Sequence, residues 1–284
     1  MQCPAQGVYR PRNPRATELF ALVEDNFDEL ERVWDERYER RHGFWRPIIR
    51  HVVEQYVECG DLRCGFARLW CAPCRKSLLL PYSCKRRCFC PSCHQKRALL
   101  FAEHVEQEVL GQVPIRQYVV TIPKMLRLCF KYDRSLLGEL SRCFYESIKE
   151  LFLDAVRQAG SLPTTSPALP ALISSIQTYG DDPTGFHPHL HCIMADGLVL
   201  PDGSFSPIPR PDPLQIMLLF RHKLLKTLLA KDKISQKLVD ILLSWRHPGF
   251  SVFQGDSVSP DDHEARERLA RYSSPSHCSG SIAL

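Results

Sequence analysis

Apolar residues recur at helical spacing over several long stretches of the chain. Leu19, Phe20, Leu22, Val23, Phe27, Leu30, Val33, Trp34 and Tyr38 fall at steps of three and four with acidic residues between them, which predicts an amphipathic helix over residues 16–40. A second helix is predicted over 45–58, with Pro47 in its first turn, where the missing N–H is harmless. A third runs from 93 to about 110. Residues 117–122 then read as a buried strand ended by Pro123. A long helix fits 135–158, with Leu136, Leu137, Leu140, Phe144, Ile148, Leu151, Phe152 and Val156 on one face. After the small-residue and proline loop GSLPTTSPALP, the segments ALISSIQTYG and HLHCIMADGLVL read as strands, with a turn signal at LPDGS. Helices follow at 213–229 and 234–245, a strand at GFSVFQGDSV, and a short final helix at DDHEARERLARY. Strands and helices joined by tight turns predict an α+β fold with a mostly antiparallel sheet.

Composition changes this picture little. The 284 residues, 44% hydrophobic and 24% charged, suffice for about two domains. No apolar run approaches the ~18 residues of a membrane span, and MQCPAQGVYRPRNPR lacks the apolar core of a secretory signal. The expectation is a soluble, cytoplasmic protein with no membrane partner.

Charge placement says more than the net charge of +5. Residues 59–97 carry Arg63, Arg68, Arg75, Lys76, Lys85, Arg86, Arg87, Lys96 and Arg97 against Asp61 alone, a local net of +8. A solvated basic face would ordinarily be interleaved with acids, so this density points to a polyanion, most simply nucleic acid.

Eight of the thirteen cysteines lie in the same segment. An odd total and the absence of a signal peptide argue against a disulfide scaffold and for a metal site. Cys71 with Cys74, and Cys90 with Cys93, form two CxxC pairs fifteen residues apart, the spacing of two knuckles that close a tetrahedral zinc shell. Cys59, Cys64, Cys84 and Cys88 are left for a second site, or for Cys59 and Cys84 to substitute in the first, and the spacing does not decide between them. A structural zinc here would hold the segment RKSLLLPYSCKRR as a hairpin and present its cations to phosphates. Phe66, Trp70, Tyr82 and Phe89 are interleaved with those cations, either as the small core of the module or as rings that stack on bases.

A second candidate site is FHPHLH. On a strand His189 and His191 project to one side with Leu190 behind them, a two-imidazole clamp for a divalent ion. His187 joins them only if the strand starts that early, and Pro188 would then call for an edge position.

With these residues in view, the chain resembles rolling-circle transposases of the HUH class, in the insertion-sequence group that begins with a transposase zinc-binding domain. The likeness rests on ATELFALVEDNFDELERVWDERY, CGDLRCGFARLWCAPC, PYSCKRRCFCPSCHQKR, VPIRQYVVTIPKMLRLCF and IQTYGDDPTGFHPHLHCIMADGLVLPDGSF, five blocks in the family's order. It implies an N-terminal helical region (1–58), a zinc-binding DNA-recognition module (59–104) and an HUH-type catalytic domain (105–284) with an RRM-like or ferredoxin-like sheet. It further implies that His189 and His191 hold Mg²⁺ or Mn²⁺ and that Tyr272, in LARY, attacks single-stranded transposon-end DNA. Arg268 stands where two-tyrosine relatives carry another tyrosine, so the single-tyrosine variety is implied. Phe253 occupies a position where relatives often have histidine, and the ending SSPSHCSGSIAL departs from the family, the mark of a C-terminal truncation. An inactive, zinc-dependent DNA-binding remnant, or a plasmid replication initiator or relaxase, are the alternative readings.

Overall fold

The structure, a computed structural model, describes residues 13–86, 89–158, 168–180, 185–247 and 249–273. Two compact units divide the chain, Met1–Ala98 and Leu99–Leu284.

In the first unit, α1 (Glu18–Arg32) begins at Thr17, whose hydroxyl accepts a hydrogen bond from the Phe20 N–H at 3.2 Å. The single long helix expected over 16–40 is instead broken into α1 and two one-turn pieces, α2 (Trp34–Arg37) and α3 (Glu39–His42). Beyond α1 the apolar residues serve a local aromatic cluster, with Trp34 packed edge-on against Trp45 at 5.1 Å. α4 (Ile48–Val57) follows. Next comes a two-stranded antiparallel ribbon, β1 (Phe66–Cys71) and β2 (Lys76–Pro81), so the hairpin turns at CAPCR and not within the segment after it. α5 (Pro91–His104) starts in this unit, and the division between units falls inside it. Phe20 and Tyr56 pack with Cys59, Cys90 and Cys93 in one buried cluster, so the N-terminal helices and the cysteine module share a core.

After the end of α5 the second unit continues through a π turn, Val105–Val109, to β3 (Ile115–Thr121). α6 (Lys124–Tyr132) directly follows Pro123; the sequence reading has no helix here, because only Leu126 and Phe130 mark its buried side. α7 (Leu136–Gln158), β4 (Leu169–Tyr179), β5 (Phe186–Val199), β6 (Phe205–Pro207), α8 (Pro213–Ala230), α9 (Gln236–Ser244), β7 (Ser251–Val258) and α10 (His263–Tyr272) complete it. The sheet runs β4-β5-β3-β7, with β6 on the far end of β5, and every pairing is antiparallel. The fold is therefore mixed α+β, as the periodicities predict.

β5 lies between two strands and is buried on both faces. Leu190, Cys192 and Met194 enter the main core with α7 and α8, while Ile193 faces a smaller core with Ile115, Ile173, Ala102 and Ala270. Pro188 does not put the strand at an edge. It sits beyond the last β3 pair, Thr121 with His189, and at the irregular register between Gln177 and Tyr179 of β4, where its missing N–H breaks no regular ladder.

Three strands are tied together by one guanidinium. Arg116 donates from Nε to Asp196 at 2.9 Å and from Nη1 to the Gly255 carbonyl at 2.9 Å, joining β3, β5 and β7 where all are buried or nearly so. Asp196→Ala strips the buried cation of its partner and is expected to cost about 3 kcal/mol or more. Urea unfolding should show this as a lowered midpoint, whereas Ser257→Ala, which removes only an added hydroxyl on Asp196, should stay within about 1 kcal/mol of wild type. Equal midpoints for Asp196→Ala and wild type would contradict it.

Candidate functional site

In the first unit the structure gathers Cys59, Cys84, Cys90 and Cys93, whose sulfurs all lie within 4.8 Å of one another. The separations are 3.7 Å for Cys59–Cys93, 3.6 Å for Cys84–Cys93 and 3.8 Å for Cys90–Cys59. A tetrahedron with Zn–S of ~2.3 Å has edges of about 3.8 Å, which these three separations match closely. Among the described residues this is the one group of three or more such ligands drawn together so closely.

The set differs from the first pairing expected from spacing. Cys90 and Cys93 are retained, but Cys71 and Cys74 are replaced by Cys59 and Cys84. The reason is the ribbon. Gly60 N–H donates to the Tyr82 carbonyl at 3.0 Å and Tyr82 N–H to the Gly65 carbonyl at 3.1 Å, which brings Cys59 and Cys84 together at the ribbon's base. Cys71 pairs with Lys76 at the opposite end, next to the turn that holds Cys74.

Backbone amides complete the thiol site. Cys84 N–H points at the Cys59 sulfur and Arg86 N–H at the Cys84 sulfur, both at 3.4 Å. Lys85, with φ of 55°, turns its own N–H toward Cys93. Hydrogen bonds from Cys84 and Cys90 draw the Cys59 thiol down to about 7. Those from Cys59, Cys84 and Cys90 hold Cys93 well below the ordinary thiol range. Cys84 and Cys90 are pushed upward, chiefly by Cys59. Four sulfurs this close repel as thiolates, and a divalent cation is what allows all four to ionise.

The basic residues around the site divide into two groups. Arg63 is held by Asp61, with Nη2 2.7 Å from the carboxylate. Arg86 donates to Gln55 at 2.5 Å and sits 3.0 Å from His51 Nε2, tying the cluster to α4. Arg68, Arg75, Lys76, Lys85, Lys96 and Arg97 are exposed, and Arg87 lies outside the described residues, as does Cys88.

In the second unit β5 places three imidazoles along one face. Ring centroids are 5.0 Å apart for His187 and His189, and 4.9 Å for His189 and His191. The strand begins at Phe186, so His187 shares the row. Burial, then Arg127 and His189, lower the pKa of His187; burial and Arg127 lower that of His189. His191 falls to about 4, first through burial and then through His189. All three are neutral near pH 7, the form that binds a metal. His187 Nε2 and His191 Nδ1 are buried and have no hydrogen-bond partner, so the row holds unpartnered ring nitrogens of the kind that a cation coordinates.

Tyr272 closes this face. α10 starts at Asp262, whose carboxylate accepts from Ala265 N–H at 3.0 Å. It is anchored by Arg266, which is fully buried and donates to the Val113 and Gly111 carbonyls at 3.0 and 2.7 Å. Ala270 sits in the smaller core beside Ile193. Two residues later the Tyr272 ring meets His191 edge-on at 4.7 Å, while 57% of the residue stays open to solvent. Phe253 also lies on this face, through Val119, which pairs with both it and His191.

Two neighbours escape sequence reasoning. Arg127 on α6 lies close enough to His187 and His189 to depress both, and its Nε is buried without a partner. Ser175 pairs with His191 across β4 and β5, and its hydroxyl is also buried and unpartnered. Nothing in the sequence separates Arg127 from Lys124 and Lys131, which share its helix at steps of three and four, and Ser175 carries no signal before the register is known.

A four-thiol metal module thus precedes an antiparallel α+β unit that sets a histidine row against a tyrosine. Residues 29–122, which include all four thiols and end with β3, match the family model of the transposase zinc-binding domain, IS91 type. The match supports a transposase role, and together with the thiol cluster it supports a structural zinc ion. No curated protein and no solved structure matches the chain. Among the described residues no helix is long and apolar enough to cross a membrane.

Replacing Cys59 or Cys84 by serine should release the zinc held by the cluster, while Cys71→Ser should leave it bound. Elemental analysis of purified protein reads this directly. Chelation of the wild-type chain should also unfold the first unit, since metal affinity in such a site is folding free energy. Equal zinc loss in Cys71→Ser and Cys59→Ser would show that the spacing-based pairing was the better one.

Proposed function

We propose that the chain is an HUH-type, rolling-circle transposase that nicks and rejoins single-stranded DNA at transposon ends through Tyr272. The observation that carries this reading is the approach of the Tyr272 ring to 4.7 Å from His191, between segments far apart in sequence.

His189 and His191, with His187 as a third ligand, would hold Mg²⁺ or Mn²⁺, which when bound polarises the scissile phosphate and offsets charge on its oxygens. Arg127, beside the same histidines, supplies a fixed cation for a phosphate oxygen. The Tyr272 oxygen attacks phosphorus and gives up its proton. The bond from phosphorus to the 3′ oxygen breaks, and that oxygen is protonated to a free 3′-hydroxyl. DNA stays attached through a 5′-phosphotyrosine. Attack by a 3′-hydroxyl on that link reverses the exchange in a new place. Each step trades one phosphodiester for another, so no nucleotide cofactor is needed. The zinc module, with its exposed cations, holds the DNA.

Incubation of the full chain with single-stranded DNA and Mn²⁺ should give a protein–DNA adduct that survives denaturing electrophoresis. Tyr272→Phe and His191→Ala should each abolish it with zinc content and DNA binding intact, and Arg127→Ala should slow its formation on the order of 100-fold. An adduct in Tyr272→Phe would move the nucleophile elsewhere. Binding with no adduct in wild type would leave a zinc-dependent DNA-binding protein without catalysis.

A further inference from the structure

The β1–β2 ribbon carries features that neither the thiol cluster nor the histidine face uses. Its register pairs Phe66 with Pro81, Arg68 with Leu79 and Trp70 with Ser77 on one face. The other face holds Ala67 with Leu80, Leu69 with Leu78, and Cys71 with Lys76. Phe66 is 44% exposed, Trp70 56% and Tyr82, at the ribbon's base, 60%. A two-stranded ribbon without a covering layer is marginal by itself, and this one is held at its base by the thiol cluster.

We propose that the face bearing Phe66, Arg68 and Trp70 is a stacking platform for single-stranded DNA. The proposal rests on the reading of the chain as a DNA-handling transposase and names the form of DNA that its first unit grips.

Two observations favour that occupant. First, the aromatic rings are spaced along a strand, with Phe66 and Trp70 about 13 Å apart at ~3.3 Å per residue, a span of a few nucleotides. Second, a cation accompanies them: the Arg68 guanidinium carbon lies 5.9 Å from the Trp70 ring centre, and Arg75 and Lys76 follow at the turn, with no acidic residue between Phe66 and Pro81.

A second copy of this chain would bring the same cations face to face, which an isologous interface penalises. Duplex DNA shows phosphates to the cations but keeps its base faces stacked within the helix, out of reach of the rings. Unpaired bases satisfy both rings and cations.

The test uses the zinc-loaded full chain and a fluorescently labelled oligothymidine, with affinity read by anisotropy over a salt series. Phe66→Ala and Trp70→Ala should each weaken binding on the order of 10-fold, with zinc content unchanged and the salt slope preserved, because stacking releases no counterions. Arg68→Ala should flatten the slope by about 0.7. Leu69→Ala with Leu78→Ala, on the opposite face, should bind as wild type does.

Wild-type affinity in the aromatic variants would overturn the platform, and so would equal loss from the Leu69 and Leu78 changes or tighter binding to duplex of the same length. A dimer that dissociates in Trp70→Ala would assign the face to a second copy instead. The tyrosine adduct separates the two readings. Adduct formation without dependence on the rings overturns only the platform, and ring-dependent binding without an adduct overturns only the proposed chemistry.

Discussion

The second unit depends on the double burial of β5. A strand between two others, covered on both faces, must send alternate residues into two different environments. Leu190, Cys192 and Met194 go into the main core. The residues between them, His189, His191 and Ile193, go to the opposite side, where polar and apolar neighbours meet. Desolvation there keeps the imidazoles neutral, and two of their ring nitrogens are left without hydrogen-bond partners. The same burial gives the site rigidity, because a one-residue slip of β5 would exchange imidazoles for core side chains.

Tyr272 reaches this row through a buried guanidinium. Arg266 satisfies the Gly111 and Val113 carbonyls, which precede β3, and thereby docks α10 on the turn that leads into the sheet. Small residues, Ala265 and Ala270, let the helix approach closely. Its last turn then overhangs the histidines with the tyrosine partly exposed. The tyrosine thus combines a fixed backbone with an open tip.

The first unit solves a different problem. It has few apolar residues to bury, and its core is built around the sulfurs, with Tyr56 against Phe89 at 5.1 Å beside them. A metal at that point replaces the larger hydrophobic core that a small module lacks. Once the base is fixed by four thiolates, the ribbon can project with both faces bare, which an unsupported hairpin could not sustain.

Much of this was written in local sequence. Periodicity located α7, α8, α9, β4, β5 and β7, the alternation of HLH put two imidazoles on one side, and the clustering of cysteine with cations pointed to a metal module. Local sequence determines these because each depends on neighbours within a few residues. What it left undecided were choices between distant partners. CxxC spacing pointed to Cys71 and Cys74, with Cys59 and Cys84 only as substitutes, and it was the closure of the ribbon that brought the latter pair to Cys90 and Cys93. Arg127, Ser175 and the approach of Tyr272 to His191 arise from strand register and helix docking between segments remote in the chain. Those contacts form when apolar faces are buried together, so tertiary packing alone decided them.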